Sequence, residues 1–296
     1  MKQIGLIGVG AMGEPMGTAL LRAGLGLRTC VHRNRSSVER LVAQGAIEEA
    51  DAAAVGAGCE ALVLMVPDAP QADEALFGKR GAAPALRPGS HVILMATMAP
   101  AAARSIYERL AQRQVAVLDA PVSGGPARAA TADLAIMVGA DDDAYALCEP
   151  VLSALGRPIH VGGPGLGETV KLANQIIISS VMLADVEALV FARKAGADIE
   201  KLRGVIANAT GSNYILERWL PQFWFNGAQH EGGFAVDLLR KDLAAALKAA
   251  DDLDVPLPIS KASLQRFDEA AAAGLGSKDY SAVAQPYERA AGVKVV

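Results

Sequence analysis

Aromatic residues make up only 4% of the chain, and no excess of positive charge compensates for them. With 28 Lys+Arg against 32 Asp+Glu the formal net charge is −4, so there is no broad basic field and nucleic acid is not an expected partner. Cysteine is scarce too: Cys30, Cys59 and Cys148 are odd in number and lack paired spacing. That pattern excludes a disulfide framework, matches no zinc or haem motif and suits a reducing cytoplasm, so no metal is expected. No signal peptide is expected, because MKQIGLIGVG enters a strand-like run at once. The longest apolar stretch, residues 176–184, is broken by Ser179 and Ser180 and followed by Asp185 and Glu187. Such a run is expected to be too short to span a bilayer, and no membrane partner is expected.

The chain does have apolar mass: 52% of its 296 residues are hydrophobic, with alanine and glycine abundant, which suits close helix packing and two domains. Over the first half, short β-like runs alternate with helical segments. QIGLIGV, LRTCVH, ALVLMVP, HVILMAT, AVLDAPV, LAIMVG and PIHVGG are the strands, with helices near residues 12–23 and 37–44. Apolar runs of this length separated by helices predict a doubly wound, largely parallel sheet of Rossmann type. From about Gly167 onward the pattern is helical only, over residues 167–194, 199–209, 214–223, 236–253 and 259–273. GGPGLG, residues 162–167, supplies a joint. The expectation is an α/β domain over residues 1–163, then an all-α domain over 164–296 entered through a long interdomain helix.

GVGAMG at residues 8–13 follows the first strand and opens a helix. Gly8 permits the tight turn, Gly10 lets the backbone approach a pyrophosphate, and Gly13 allows close helix–sheet packing. Ala11 and Met12 complete a helix N-terminus whose N–H groups and dipole suit phosphates. A structural glycine turn is the alternative, but the strand–turn–helix context favours a dinucleotide. The second strand ends in VHRNRSS, with Arg33, Asn34 and Arg35 and no acid until Glu39. An acid there would repel a 2′-phosphate, whereas guanidinium groups can grip it, so NADP(H) is favoured over NAD(H). MVPDAP and MATMAP end two further strands, making Val66, Pro67 and Thr97 candidate walls for the nicotinamide half, or simply turns. DAPVSGG delivers Ser123 and then Gly124 and Gly125, whose N–H groups can form a concavity for a substrate carboxylate; a ligand-free glycine turn is the alternative.

In GLGETVKLANQIII, Lys171, Asn174 and Gln175 are three and four residues apart and share one helical face. They could be a solvated stripe. However, the apolar residues around them leave little of the helix for solvent, and the segment sits at the domain boundary, where a substrate cleft is expected. A lysine withdrawn from water can protonate a developing alkoxide, and an amide one turn on can hold a substrate hydroxyl. In RKDLAAAL, Lys241 and Asp242 read by themselves as surface charges, adjacent in sequence and unable to face each other.

In this order the motifs resemble the β-hydroxyacid dehydrogenase family, which includes 3-hydroxyisobutyrate dehydrogenases, tartronate semialdehyde reductases and, more distantly, 6-phosphogluconate dehydrogenases. GVGAMGEPMGTALLRAG, DAPVSGGPARAATADLAIMVGA, GLGETVKLANQ and RKDLAAAL carry the resemblance over nearly the whole chain. It implies Lys171 as the catalytic acid/base and Ser123, Gly124, Gly125 and Asn174 as ligands of the substrate's carboxylate and hydroxyl groups. It also implies Lys241 beside cofactor and substrate, and Thr97 against the cofactor. Ala132-Asp133-Leu134 stands where the family often has Gly-Thr-Leu, a change expected to alter loop packing more than chemistry. Asn174-Gln175 replaces a frequent Asn-Asn, and LANQII followed by EALVFARKAGAD is most similar to the tartronate semialdehyde reductases, which adds Gln175 to the substrate-binding set. Arg33-Asn34-Arg35 stands where NADP-preferring members often carry Asn-Arg-Thr.

The expected activity is NADP(H)-dependent interconversion of a small β-hydroxyacid and its semialdehyde, tartronate semialdehyde to glycerate foremost. 3-Hydroxyisobutyrate, L-serine, L-threonate and succinic semialdehyde are the alternatives, and a dinucleotide-binding sensor without catalysis is the alternative class. Residues near 212–214 and 230–234 are expected to choose among substrates. A helix apolar on nearly all sides must be covered, so a homodimer or homotetramer is expected, binding a small carboxylate substrate.

Overall fold

The computed structural model describes residues 1–225 and 227–296. They divide into two compact units, Met1–Lys171 and Leu172–Val296.

The first unit holds nine strands in one sheet: β1 (Gln3–Ile7), β2 (Gly26–Cys30), β3 (Ile47–Glu49), β4 (Ala61–Leu64), β5 (His91–Leu94), β6 (Ala116–Asp119), β7 (Val122–Ser123), β8 (Leu134–Gly139) and β9 (Gly156–Gly162). Their order is β3-β2-β1-β4-β5-β6-β8-β7, with β9 paired to β8. The first six strands are parallel. The connecting helices are α1 (Gly13–Arg22), α2 (Arg35–Val42), α3 (Ala52–Ala57), α4 (Ala69–Phe77), α5 (Pro100–Ala111), α6 (Gly125–Ala130) and α7 (Asp142–Ser153).

Side chains alternate across this sheet, so both faces are covered. Ile4, Leu6, Ala61 and Val63 pack with Met16 and Leu20 of α1, Leu41 of α2 and Leu152 of α7. Ile7, Leu62 and Leu64 pack with Val55 of α3, Leu76 of α4 and Ile106 and Leu110 of α5. Two-sided burial explains why β4 reads Ala-Leu-Val-Leu with no polar residue. The run AVLDAPV, expected as one strand, is two: Pro121 has no N–H for a ladder, so β6 stops at Asp119 and β7 starts at Val122. β8 then runs antiparallel to both β6 and β7, making this end of the sheet mixed.

The second unit is helical. α8 (Leu166–Lys194) starts in the first unit and continues into it, followed by α9 (Ile199–Ile206), α10 (Leu220–Phe223), α11 (Val236–Asp251), α12 (Pro258–Ala270) and α13 (Ala284–Ala291). Its core gathers Met182, Val186 and Leu189 of α8, Leu239 and Leu243 of α11 and Phe267 of α12. The helix expected over residues 214–223 opens as a π-helical turn, Ile215–Trp219, because Pro221 cannot continue the ordinary ladder. Among the described residues the only strand-like pairing here is the bridge between Ala235 and Asp279. Buried Asp279 accepts the Phe234 N–H at 2.9 Å and the indole N–H of Trp219 at 3.1 Å, fixing the segment that leads into α11.

By length and composition alone α8 could cross a membrane, which corrects the expectation that its apolar run is too short; half of its most apolar window is buried inside the protein. Its face also carries a strained carboxyl. Asp185 is 8% exposed; Asn213 Nδ2 donates to its Oδ1 at 2.9 Å, and its Oδ2 has no hydrogen-bond partner among the described residues. Burial pushes this carboxyl from 3.8 up to about 6, the Asn213 bond opposing only part of the shift. The folded protein therefore holds the Asp185 proton more tightly than the unfolded chain, and stability falls as pH rises through that interval. Asp185→Asn is expected to melt above the parent at about pH 7.5 and level with it near pH 4, as read by thermal unfolding across pH.

Candidate active site and dinucleotide cradle

Four parallel strands end level with one another. Ile7 is in register with Leu64, Leu64 with Leu94, and Leu94 with Asp119. The glycine turn, Val66 and Pro67, and Thr97 therefore all lie just beyond the carboxyl ends of neighbouring strands, while Ser123 ends β7 and its two glycines follow it. Strand order reverses between β1 and β4, and in doubly wound sheets that switch point is where a dinucleotide binds.

Three glycines of the turn have separate jobs. Gly8 has φ +100, and a Cβ there would run into the Met65 carbonyl; a Cβ on Gly13 would run into the Gly8 carbonyl. Both are needed by the protein itself. Gly10 differs: a Cβ there would meet nothing within 4 Å. Its missing side chain leaves space that the protein does not fill, beside an α1 N-terminus with no side-chain cap. Ala11 is exposed and Met12 half-buried at that N-terminus. Open space and an uncapped helix end fit a dinucleotide pyrophosphate.

The loop after β2 divides its labour. Asn34 caps α2, accepting the Ser37 N–H at 3.3 Å, and Arg35 reaches Glu48 at 3.1 Å and Glu39 at 3.8 Å. Arg33 is exposed and makes no ion pair among the described residues. Arg33 is thus the guanidinium available to an external phosphate, Arg35 is engaged, and Asn34 serves the fold.

Lys171 is held by an anchor absent from the sequence reading. Asp119, fully buried at the end of β6, accepts the N–H groups of Gly165 and Glu168 at 2.8 Å each and fastens the start of α8. Burial raises the Asp119 carboxyl above its ordinary range, against the lowering effect of those two N–H groups and of Tyr107. Glu168, also fully buried, accepts the Met98 N–H at 3.1 Å and ties the Thr97 segment to the same turn. Lys171 comes three residues later and is only 7% exposed.

Burial along α8 cuts across polarity: Leu172, Met182, Val186 and Leu189 are buried as a core face should be, but they are not alone. Glu168, Lys171, Gln175, Ser179 and Asp185 are buried, while Val170, Ile177 and Phe191 are exposed, Phe191 at 76%. Buried polar side chains, not exposed apolar ones, are the informative exceptions, so a merely solvated stripe is ruled out for Lys171 and Gln175.

Ser123 is half-buried and pairs with Ala135 of β8. Gly124 and Gly125 follow at φ +135 and +68, conformations that L side chains rarely adopt. Nearby, Ala132 holds φ +53 where the family often has glycine, and Asp133 bridges Arg128 and Arg157. The substitution there is accommodated in loop packing.

In the second unit, Asn174, Gln175 and Lys241 meet around Asp242. Gln175 Nε2 donates to Asp242 Oδ2 at 2.7 Å, Asn174 Nδ2 donates to Gln175 Oε1 at 3.1 Å, and Lys241 Nζ lies 2.9 Å from Asp242 Oδ1. This overturns the expectation that Lys241 and Asp242 cannot face each other: the long lysine stem folds back onto its neighbour. Asp242 itself is 2% exposed, not a surface charge. Asp119, Glu168 and Asp242 were all missed because each acts on partners tens of residues away. The only local signals were their positions in DAPVSGG, GLGE and RKDL.

A dinucleotide cradle and a buried lysine in the same unit suit an NAD(P)-dependent oxidoreductase, and comparison with known proteins shows that class. Residues 3–163 match the NAD-binding domain of 6-phosphogluconate dehydrogenase, and residues 165–287 match the NAD-binding segment of NADP-dependent 3-hydroxyisobutyrate dehydrogenase. The chain is 37% identical to the L-threonate dehydrogenase of Cupriavidus necator over 95% of both chains. It is 36% identical to the 2-hydroxy-3-oxopropionate reductase of Escherichia coli K12 over 99% of both. The 3-hydroxyisobutyrate dehydrogenase of Mycobacterium tuberculosis, solved with L-serine, superposes with a TM-score of 0.88 at 28% identity, over 97% of this chain and 99% of that one. The protein belongs to the 3-hydroxyisobutyrate dehydrogenase family of β-hydroxyacid dehydrogenases, NAD(P)-dependent enzymes acting on CH–OH groups.

The two kinds of glycine separate experimentally. Gly10→Ala is expected to melt within about 2 °C of the parent and to weaken NADPH binding at least about tenfold, as read by calorimetric titration. Gly13→Ala is expected to lower the melting temperature itself, because its Cβ has no room.

Proposed function

We propose that the protein is an NADP(H)-dependent reductase of a small β-hydroxyacid semialdehyde, with tartronate semialdehyde, reduced to glycerate, as its leading substrate. The observation that carries this reading is the burial of Lys171 one turn into a helix whose start is fastened by Asp119. When bound, the nicotinamide supplies the electron pair that reduces the aldehyde carbon. Lys171 gives the proton that the carbonyl oxygen needs, and takes one from the hydroxyl in the reverse direction. Ser123 and the N–H groups of Gly124 and Gly125 hold the substrate carboxylate. Asn174, Gln175 and Lys241 serve the substrate's polar groups, and Thr97, Val66 and Pro67 wall the nicotinamide. Arg33, with no acid beside it at the end of β2, supports NADPH over NADH.

Gln175 and the relative named 2-hydroxy-3-oxopropionate reductase support tartronate semialdehyde. A second reading, L-threonate, is supported by the relative at 37% identity. Residues 1–163 and 164–296 act as cofactor-binding and substrate domains. The exposed apolar positions of α8, Ile177 and Phe191, support a homodimer or homotetramer in which a second copy covers them. The cysteine content supports a cytoplasmic protein, and the net charge one without a nucleic-acid partner.

The test is a panel of tartronate, methylmalonate and succinate semialdehydes with L-threonate and L-serine, assayed with NADPH/NADP and NADH/NAD. The highest kcat/KM is expected for tartronate semialdehyde with NADPH. A higher value for L-threonate replaces the substrate, and no turnover of any acid overturns the reading. Lys171→Ala is expected to lower kcat about a thousandfold while NADPH affinity stays within about threefold.

A further inference from the structure

We propose that Asp242 is a positioning residue that fixes the hydrogen-bond polarity of Asn174. Through it, the enzyme would select acids bearing a hydroxyl beside the reacting carbinol. The proposal rests on the reading of Asn174 as a substrate ligand.

The argument starts from what each group can do. A carboxylate only accepts and an ammonium only donates, whereas an amide does both and can turn end for end. Asp242 is buried, with Gln175 Nε2 at 2.7 Å from Oδ2 and Lys241 Nζ at 2.9 Å from Oδ1. Facing the carboxylate, Gln175 has one choice: its NH2 points at Asp242 and its carbonyl oxygen points away. That oxygen then requires a donor and finds Asn174 Nδ2 at 3.1 Å. Asn174 in turn loses its choice, and its Oδ1 is the acceptor left over, beside the second N–H of Nδ2. Among the described residues no donor reaches it, and the side chain is only half-buried.

The outcome is a one-way chain from a buried charge to an acceptor available to a ligand. The desolvation cost of buried Gln175 is offset, because each end of its amide makes a hydrogen bond. The external acceptor calls for an O–H. A substrate lacking that donor leaves Oδ1 unmet, and a site built around a substrate hydroxyl rejects the analogue without it by large factors. Lys241 adds direction through charge: its ammonium stands 2.9 Å from Asp242 Oδ1 as an ion pair, without the geometry of a hydrogen bond, and Oδ2 is the oxygen that meets Gln175.

Glycerate and 3-hydroxypropionate differ only by the 2-hydroxyl, and the ratio of their kcat/KM values with NADP reads the chain directly. The parent is expected to favour glycerate by at least about a hundredfold. Gln175→Met keeps the length and removes the amide, and is expected to lower that ratio at least tenfold, mainly through the KM for glycerate. Asp242→Asn tests the charge. Lys241 still demands the amide oxygen, which turns the new NH2 toward Gln175 and reverses both downstream amides, so the ratio is expected to fall there too. If Gln175→Met does not fold, Asp242→Asn decides. A merely structural role lowers both substrates alike; an unchanged ratio in the folded variants, or a parent ratio near one, overturns the proposal. A parent that turns over neither acid overturns the reading of the enzyme instead.

Discussion

Asp119 stands where β6 ends, and its two oxygens take the N–H groups of Gly165 and Glu168 on which α8 starts. A helix has one free parameter once its axis is set, the phase of its side chains. Fastening its first turn to a strand end fixes that phase for every residue that follows. Glu168 then returns to the strand-end loops by accepting from Met98, and Lys171 inherits its burial from the same turn. The carboxylate bears the cost of burial, visible in its raised pKa, and two backbone donors and the Tyr107 hydroxyl offset that cost. A weaker anchor would let the helix rotate, and a rotation of one residue would swing Lys171 by about 100° around the axis.

The rest of α8 follows from that phase. Several of its polar side chains are buried and a few of its large apolar ones exposed, alongside the buried Leu172, Met182, Val186 and Leu189 of an ordinary core face. Each buried polar group is expensive unless paired, and pairing produces the second polar centre, where Asp242 gathers Gln175 and Lys241. The two carboxylates, Asp119 and Asp242, play matched parts in their own units: one sets where a helix begins, the other how its amides are turned.

Much of this was legible in the sequence. The glycine turn could be read from a strand, a turn and a helix in twenty residues, and a doubly wound, largely parallel sheet followed from alternation of elements. The polar face at Lys171 was visible from helical spacing. The two-strand break at Pro121 was hidden because AVLDAPV is uniformly apolar apart from one acid, and that acid was the anchor. Asp119 and Asp242 escaped because their partners lie 46 and 67 residues away. No local pattern distinguishes an aspartate that caps a distant helix from one that faces water. The loop after β2 shows a different limit: residue types showed a basic segment, but only geometry separated free Arg33 from engaged Arg35 and capping Asn34.

That loop carries a consequence for how such enzymes diverge. Asn34 caps α2 and Arg35 reaches Glu48 of β3, while Arg33 lies on the surface and makes no ion pair among the described residues. Residues that touch no core can be exchanged over generations with little penalty in folding. On the proposed reading of Arg33 as the partner of a 2′-phosphate, exchange at that one position would alter the dinucleotide while leaving the turn and the sheet undisturbed.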